Sequence, residues 1–207
     1  MNITVIGTGH VGLVVGLCFA EVGHDVICLD NDPRKIDALN RGETPFYEPH
    51  LDVLLRRNQE RRRIRFFSEL DPHVDFAEVI FLCLGTPPLP GGEADLSSVE
   101  AVTRRLATHS TSYKLVVEKS TVPVKTGEWV KRTLSLFSSD SVDFDVASVP
   151  EFLREGSAVH DFLHPDRVVI GVESPRAEAI LRQLFAPLGA PILVTDINSA
   201  ELIKHAS

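Results

Sequence analysis

The first residues whose types and spacing can do chemistry are Gly7-Thr8-Gly9-His10-Val11-Gly12. A glycine in the first position permits a tight turn, the second lets backbone approach a diphosphate, and the third lets a following helix pack closely on a strand. Backbone N–H groups and the positive end of a helix dipole would then hold the anion. Asp30 follows about 20 residues further on, where a carboxylate closing a second strand accepts hydrogen bonds from both hydroxyls of an adenosine ribose. Such an acid repels a 2′-phosphate and so selects NAD over NADP, although Arg34 and Lys35 stand near enough to weaken the preference. Without Asp30 the glycines read equally well as a plain strand-to-helix turn.

Other chemistries find less support. His160 and His164 are four apart and can share a helical face, but a metal site needs a third ligand and Pro165 follows at once, so no metal is expected. Cys18, Cys28 and Cys83 fall inside apolar runs without CxxC spacing, the pattern of buried reduced thiols rather than a disulfide or zinc site. A formal charge of −8 gives no general attraction to a phosphate backbone. The arginines at 56, 57, 61, 62, 63 and 65 are interrupted by Glu60 and lack interleaved aromatics, so they read as solvated surface and no nucleic-acid partner is expected. The apolar start has no basic flank and reaches Gly7 within a few residues, which predicts neither a signal peptide nor a membrane span. A cytoplasmic protein is the expectation.

The elements that must position these residues alternate. Short β-branched runs at 3–6, 26–29, 64–67, 79–84, 115–117, 146–149, 168–170 and 192–194 read as strands, and amphipathic stretches at 11–22, 34–41, 51–60, 97–109, 125–137 and 177–186 as helices. That alternation predicts an α/β fold, a doubly wound, mostly parallel Rossmann-type sheet with helices on both faces. Asp32-Pro33 looks like an N-cap followed by proline, and Ser97 with Glu100 like a capping box. Residues 86–95, rich in proline and glycine, form a loop after a buried strand, a position that faces ligands. The last segment starts at Asn198 or Ser199 like a capped helix and reaches no stop signal. This divides the chain into a dinucleotide-binding domain at 1–197 and, at 198–207, the opening of a further helix.

Six segments, GTGHVGLVVG from Gly7, NRGETPFYEP at 40–49, LGTPP at 84–88, GGEADLS at 91–97, EKSTVPVKTG at 118–127 and PEFLREGSAVHDFLHPDRVVIG at 150–171, resemble the UDP-glucose and GDP-mannose dehydrogenase family. The resemblance implies NAD contacts from Gly7, Gly9, His10, Val11, Gly12, Asp30, Lys35, Thr86, Thr121 and Glu155, with Thr86 and Thr121 ending the fourth and fifth strands. It further implies that Glu151 is the catalytic glutamate, that Thr121 helps position a water, and that Lys204 stabilises an oxyanion at the sugar C6. Phe152, Leu153, Arg154 and Glu155 would join Glu151 and Lys204 in contacting the sugar nucleotide. Taken alone, Glu151 reads as a helix-start carboxylate and Lys204 as an exposed helix cation.

The family's reaction uses two NAD to take a primary alcohol to a carboxylate and holds the intermediate on a cysteine thiolate. Cys18, Cys28 and Cys83 look like core residues, so that nucleophile and an asparagine one turn after Lys204 are expected outside residues 1–207. GGEADLS and HPDRVVIG look closest to the branch that converts UDP-glucose to UDP-glucuronate. Relatives acting on GDP-mannose or a UDP-N-acetylhexosamine, and a non-catalytic NAD-binding module, remain alternatives. The resemblance also implies that 198–207 open a connecting helix with a substrate-binding domain beyond it, and that the full-length protein is a homodimer paired through that helix. Three positions depart from the family pattern: His10 where tyrosine is common, and His50 and Lys125 where glycine is usual.

Overall fold

The computed structural model describes residues 1–207. Eight strands form one sheet: β1 (Asn2–Ile6), β2 (Asp25–Leu29), β3 (Ile64–Phe67), β4 (Val79–Leu82), β5 (Lys114–Glu118), β6 (Phe144–Ser148), β7 (Val168–Val172) and β8 (Ile192–Thr195). Their order is β3-β2-β1-β4-β5-β6-β7-β8, and β6 against β7 is the antiparallel pair in an otherwise parallel sheet. The central strands are buried on both faces, every residue of β4 and β5 included, which is why β4 is a continuous apolar run and β5 is apolar between its charged ends Lys114 and Glu118.

Eight helices cover the sheet: α1 (His10–Glu21), α2 (Pro33–Asn40), α3 (Leu51–Glu60), α4 (Ser97–His109), α5 (Thr126–Phe137), α6 (Ala158–Leu163), α7 (Pro175–Phe185) and α8 (Ile197–Ala206). One apolar layer holds α1, α3, α6 and α7 against one face around Phe19, Phe81 and Phe185, and a smaller one holds α4 and α5 against the other around Ile80, Leu106 and Leu134. Burying a large apolar side chain contributes roughly 1.5–3 kcal/mol, so the two layers fix the sheet from both sides. Sheet order reverses between β1 and β4, and ligands of doubly wound sheets bind outside the carboxyl ends of strands at such a switch point.

All eight expected strands and six expected helices are present, with local corrections. β4 stops at Leu82 and β5 at Glu118, so Cys83, Thr86 and Thr121 lie past strand ends, not within or at them. Ser97 is not a cap: it is the first residue of α4, and its N–H donates to Asp95 Oδ1 at 2.9 Å. The last helix starts at Ile197, because Asp196 caps it by accepting from the Ser199 N–H. Asp32 does cap α2, accepting from the Arg34 N–H at 2.9 Å. Short α6 and a 3-10 segment at Asp71–Phe76 were not foreseen, since six residues are too few to display a period.

Candidate active site

The turn after β1 requires its glycines. Gly7 has φ +101°, and a Cβ there would overlap the Cys83 carbonyl; a Cβ on Gly12 would overlap the Gly7 carbonyl. Gly9 differs, with nothing within 4 Å of where a Cβ would stand. The turn therefore packs tightly against Cys83, just past β4, at two glycines and opens to solvent at the third. No side chain caps α1, so its first-turn N–H groups face that opening.

Asp30 is tied to this turn. Its Oδ2 accepts from Thr8 N–H at 2.8 Å and from the Thr8 hydroxyl at 2.7 Å, its Oδ1 accepts from Asp32 N–H at 3.0 Å, and Lys35 Nζ lies 3.5 Å from Oδ2. Burial works to raise the Asp30 pKa, but those N–H donors, the Thr8 hydroxyl and Lys35 together hold it below the usual carboxylate range. An ionised carboxylate has about four acceptor sites, so Oδ1 keeps capacity for a ribose hydroxyl. Open space over Gly9, uncapped amides and an anionic acceptor beside them fit a dinucleotide. Thr8, the link between turn and acid, was missed because a single threonine inside a glycine motif carries no periodic signal.

β1, β4, β5 and β6 run parallel, so the segments leaving their carboxyl ends share one edge of the sheet. Thr86 and Thr121 meet there, the Thr86 hydroxyl donating to the Thr121 carbonyl at 2.8 Å. Beyond β6 at the same edge, Glu151 Oε1 accepts from Lys204 Nζ at 2.6 Å, and the same ammonium donates to the Glu151 carbonyl at 2.7 Å. Leu153 N–H donates to the other carboxylate oxygen at 2.7 Å. The Glu151 side chain is 9% and that of Lys204 24% exposed, so neither is the solvated surface charge that either residue alone would suggest. Glu151 also precedes no helix directly, since α6 begins at Ala158.

A cleft of about 530 Å³ opens beside this pair, lined by Phe152, Leu153, Arg154 and Arg167 as well as Lys119. Arg154 makes a two-pronged ion pair with Asp161, at 2.8 and 3.1 Å, and the Arg167 guanidinium lies over the Phe152 ring. Lys119, unassigned by sequence reasoning, is a buried ammonium within 3.4 Å of the Pro150 carbonyl; burial lowers its pKa to about 8. Glu155 is exposed and makes no ion pair or side-chain hydrogen bond, so no protein contact brings it to the glycine turn.

Another unforeseen residue makes that connection. Buried Glu48 accepts from Gly156 N–H and Ala158 N–H, each at 2.9 Å, and lies 3.0 Å from His10 Nε2. It thereby clips the start of α1 to the 156–158 segment. Burial pushes against ionisation, yet the two N–H groups and His10 hold the Glu48 carboxyl below its usual range. The other departures are structural: His50 and Lys125 cap α3 and α5 in left-handed backbone, φ +69° and +79°, where glycine is favoured. Lys125 is exposed, a helix-start residue in solvent.

The sheet order, the glycine turn and the strand-end acid define a Rossmann-type dinucleotide-binding domain. The sequence profile of the UDP-glucose/GDP-mannose dehydrogenase family, NAD binding domain, matches residues 1–189, and the chain belongs to that family. It is 45% identical over 206 residues to a UDP-glucose 6-dehydrogenase of Bacillus subtilis, covering 100% of this chain and 45% of the relative. A UDP-glucose 6-dehydrogenase of Rhizobium meliloti is 45% identical over 212 residues, with 48% of its length covered. Among solved structures, a UDP-glucose dehydrogenase from the archaeon Pyrobaculum islandicum superposes with a TM-score of 0.95 at 40% identity, covering 99% of this chain and 48% of that one. A GDP-mannose dehydrogenase from Pseudomonas aeruginosa gives 0.94 at 34% identity, covering 100% and 49%. The chain thus spans about half the length of the curated relatives it matches.

Proposed function

We propose that this chain is the NAD-binding portion of an enzyme that oxidises UDP-glucose to UDP-glucuronate, with residues 1–197 as the cofactor domain and α8 beginning the helix that connects it to the substrate domain. The observation that carries the reading is the Glu151–Lys204 pair, held beside a cleft on the sheet edge from which the glycine turn also leaves. Bound NAD would supply the hydride acceptor. The turn at Gly7, Gly9, His10, Val11 and Gly12 holds its diphosphate, Asp30 its ribose with Lys35 alongside, and Thr86, Thr121 and Glu155 complete the cofactor contacts.

Glu151 acts as a general base through a water that Thr121 helps place, and Lys204 stabilises the oxyanion that develops at C6. Phe152, Leu153, Arg154 and Glu155 contact the sugar nucleotide. The three cysteines do not supply the thiolate: all are buried, and burial raises each thiol, that of Cys83 to about 12. The full-length protein is proposed to work in the cytoplasm as a homodimer.

Thermal-shift titration tests the reading. NAD should raise Tm, and in the full-length protein with NAD present UDP-glucose should add more than GDP-mannose or a UDP-N-acetylhexosamine. Residues 1–207 should show no rise in NADH absorbance with UDP-glucose. A larger shift with GDP-mannose would move the assignment to that branch, and turnover would overturn the exclusion of the cysteines.

A further inference from the structure

Two glutamates outside this chemistry meet in the interior. Glu118 closes β5 and Glu201 lies in α8, each 2% exposed. Glu201 spends its oxygens on α5: Oε2 accepts from Lys125 N–H at 2.6 Å and Oε1 from Gly127 N–H at 2.7 Å. Neither Glu118 oxygen has an N–H or O–H donor in the surrounding protein. A Cβ on Gly127 would stand 3.3 Å from Glu118 Oε2 and 3.3 Å from Glu201 Oε1, so both carboxyls converge on that glycine. A buried carboxyl with no donor beside another carboxylate, as Glu118 is beside Glu201, is satisfied only when it carries a proton and donates it.

We propose that Glu118 and Glu201 share one proton and so form a latch that holds α8, and with it Lys204, against the loop at 119–125 that carries Thr121. Glu201 and Lys204 belong to the same helix, and His205, one turn after Glu201, lies 2.8 Å from the Val122 carbonyl of the same loop. The latch therefore joins the two segments whose side chains would work on the substrate, and Glu118 and Glu201 are positioning residues. The importance of Lys204 rests on the proposed function; the shared proton does not.

Glu201 is the ionisable side chain acting on Glu118, and burial followed by that charge pushes the Glu118 carboxyl well above its usual range. The neighbours in register are Leu82 of β4 and Ser148 of β6, and α5 presents Gly127, none of them ionisable. Nearby charges are directed elsewhere: Lys119 to the Pro150 carbonyl, Lys204 to Glu151, Glu128 to Asn198, and Lys125 to solvent.

A raised folded pKa means that the latch's stabilisation is complete below about pH 4.3, the unfolded glutamate value, and is lost as pH climbs toward the folded one. Over that window one extra bound proton corresponds to a Tm decrease of roughly 3–5 °C per pH unit for a domain of this size. Glu118→Gln replaces the shared O–H with an amide N–H, keeping the contact and removing the titration.

Infrared spectroscopy of the unmodified protein in deuterated buffer near neutral pH should show a protonated-carboxyl stretch, absent in Glu118→Gln. The variant's Tm should match wild type near pH 8 or exceed it, while between pH 5 and 8 it declines less steeply. No such stretch in the wild-type spectrum, or equal slopes in both proteins, overturns the proposal. Should Glu118→Gln fail to fold, the wild-type spectrum decides alone. Neither readout involves NAD or a sugar nucleotide, so the latch can fail while the proposed oxidation stands, and the reverse.

Discussion

Gly9 and Gly12 sit three residues apart in one turn and have opposite reasons to be glycine. A methyl group on Gly12 would collide with the Gly7 carbonyl, so Gly12→Ala should destabilise the fold by several kcal/mol, on the scale of about 1–3 for overpacking and more where backbone is struck. A methyl group on Gly9 meets nothing, so Gly9→Ala should leave Tm almost unchanged and weaken NAD binding by filling the space the diphosphate needs. Denaturation and calorimetry on the two variants separate these effects; equal loss of stability would contradict the account. The glycines and Asp30 were legible because their chemistry depends on spacing along the chain. Thr8, Glu48 and Lys119 were not, because what makes them matter is burial and long-range pairing: Glu48 reaches Gly156 and Ala158 from more than a hundred residues away.

Among the elements, two helices begin at non-glycine residues in left-handed backbone, His50 before α3 and Lys125 before α5. That conformation costs a side-chain-bearing residue about 1–2 kcal/mol, so His50→Gly and Lys125→Gly should each raise Tm by roughly 2–4 °C per kcal/mol recovered. A fall in Tm would mean that the side chains contribute contacts outweighing the strain. Strand positions were readable because doubly buried strands are continuous apolar runs, and helix positions because long helices display their period. Boundaries were read less well where the helix opens away from the expected capping residue, as with Leu96 before α4 and Asp196 before α8. Short α6 escaped altogether, although it follows directly on the segment bound by Glu48.

For the molecule as a whole, Glu48 is the tie between the cofactor turn and the segment after β6, and its folded pKa is depressed. A depressed carboxylate contributes stability that is present above about pH 4.3, the unfolded value, and disappears as pH falls through the folded one. Glu48→Gln should therefore lower Tm at neutral pH and flatten its acid decline, which a thermal-denaturation series across pH would reveal. The Glu151–Lys204 contact was beyond sequence reading in the same way, since 53 residues separate partners that a family likeness could name but only the fold could join. What the likeness supplied was roles; what the sheet's parallel edge supplied was a reason for those roles to meet.

The dinucleotide site underlies every functional statement, and calorimetric titration of NAD into the folded protein tests it most directly. One site should be seen, weakened about 10- to 100-fold in Asp30→Ala, the consequence of losing roughly 1.5–3 kcal/mol of hydrogen bonding to a charged group. Absence of binding to well-folded wild type, or equal affinity in Asp30→Ala, would contradict the account.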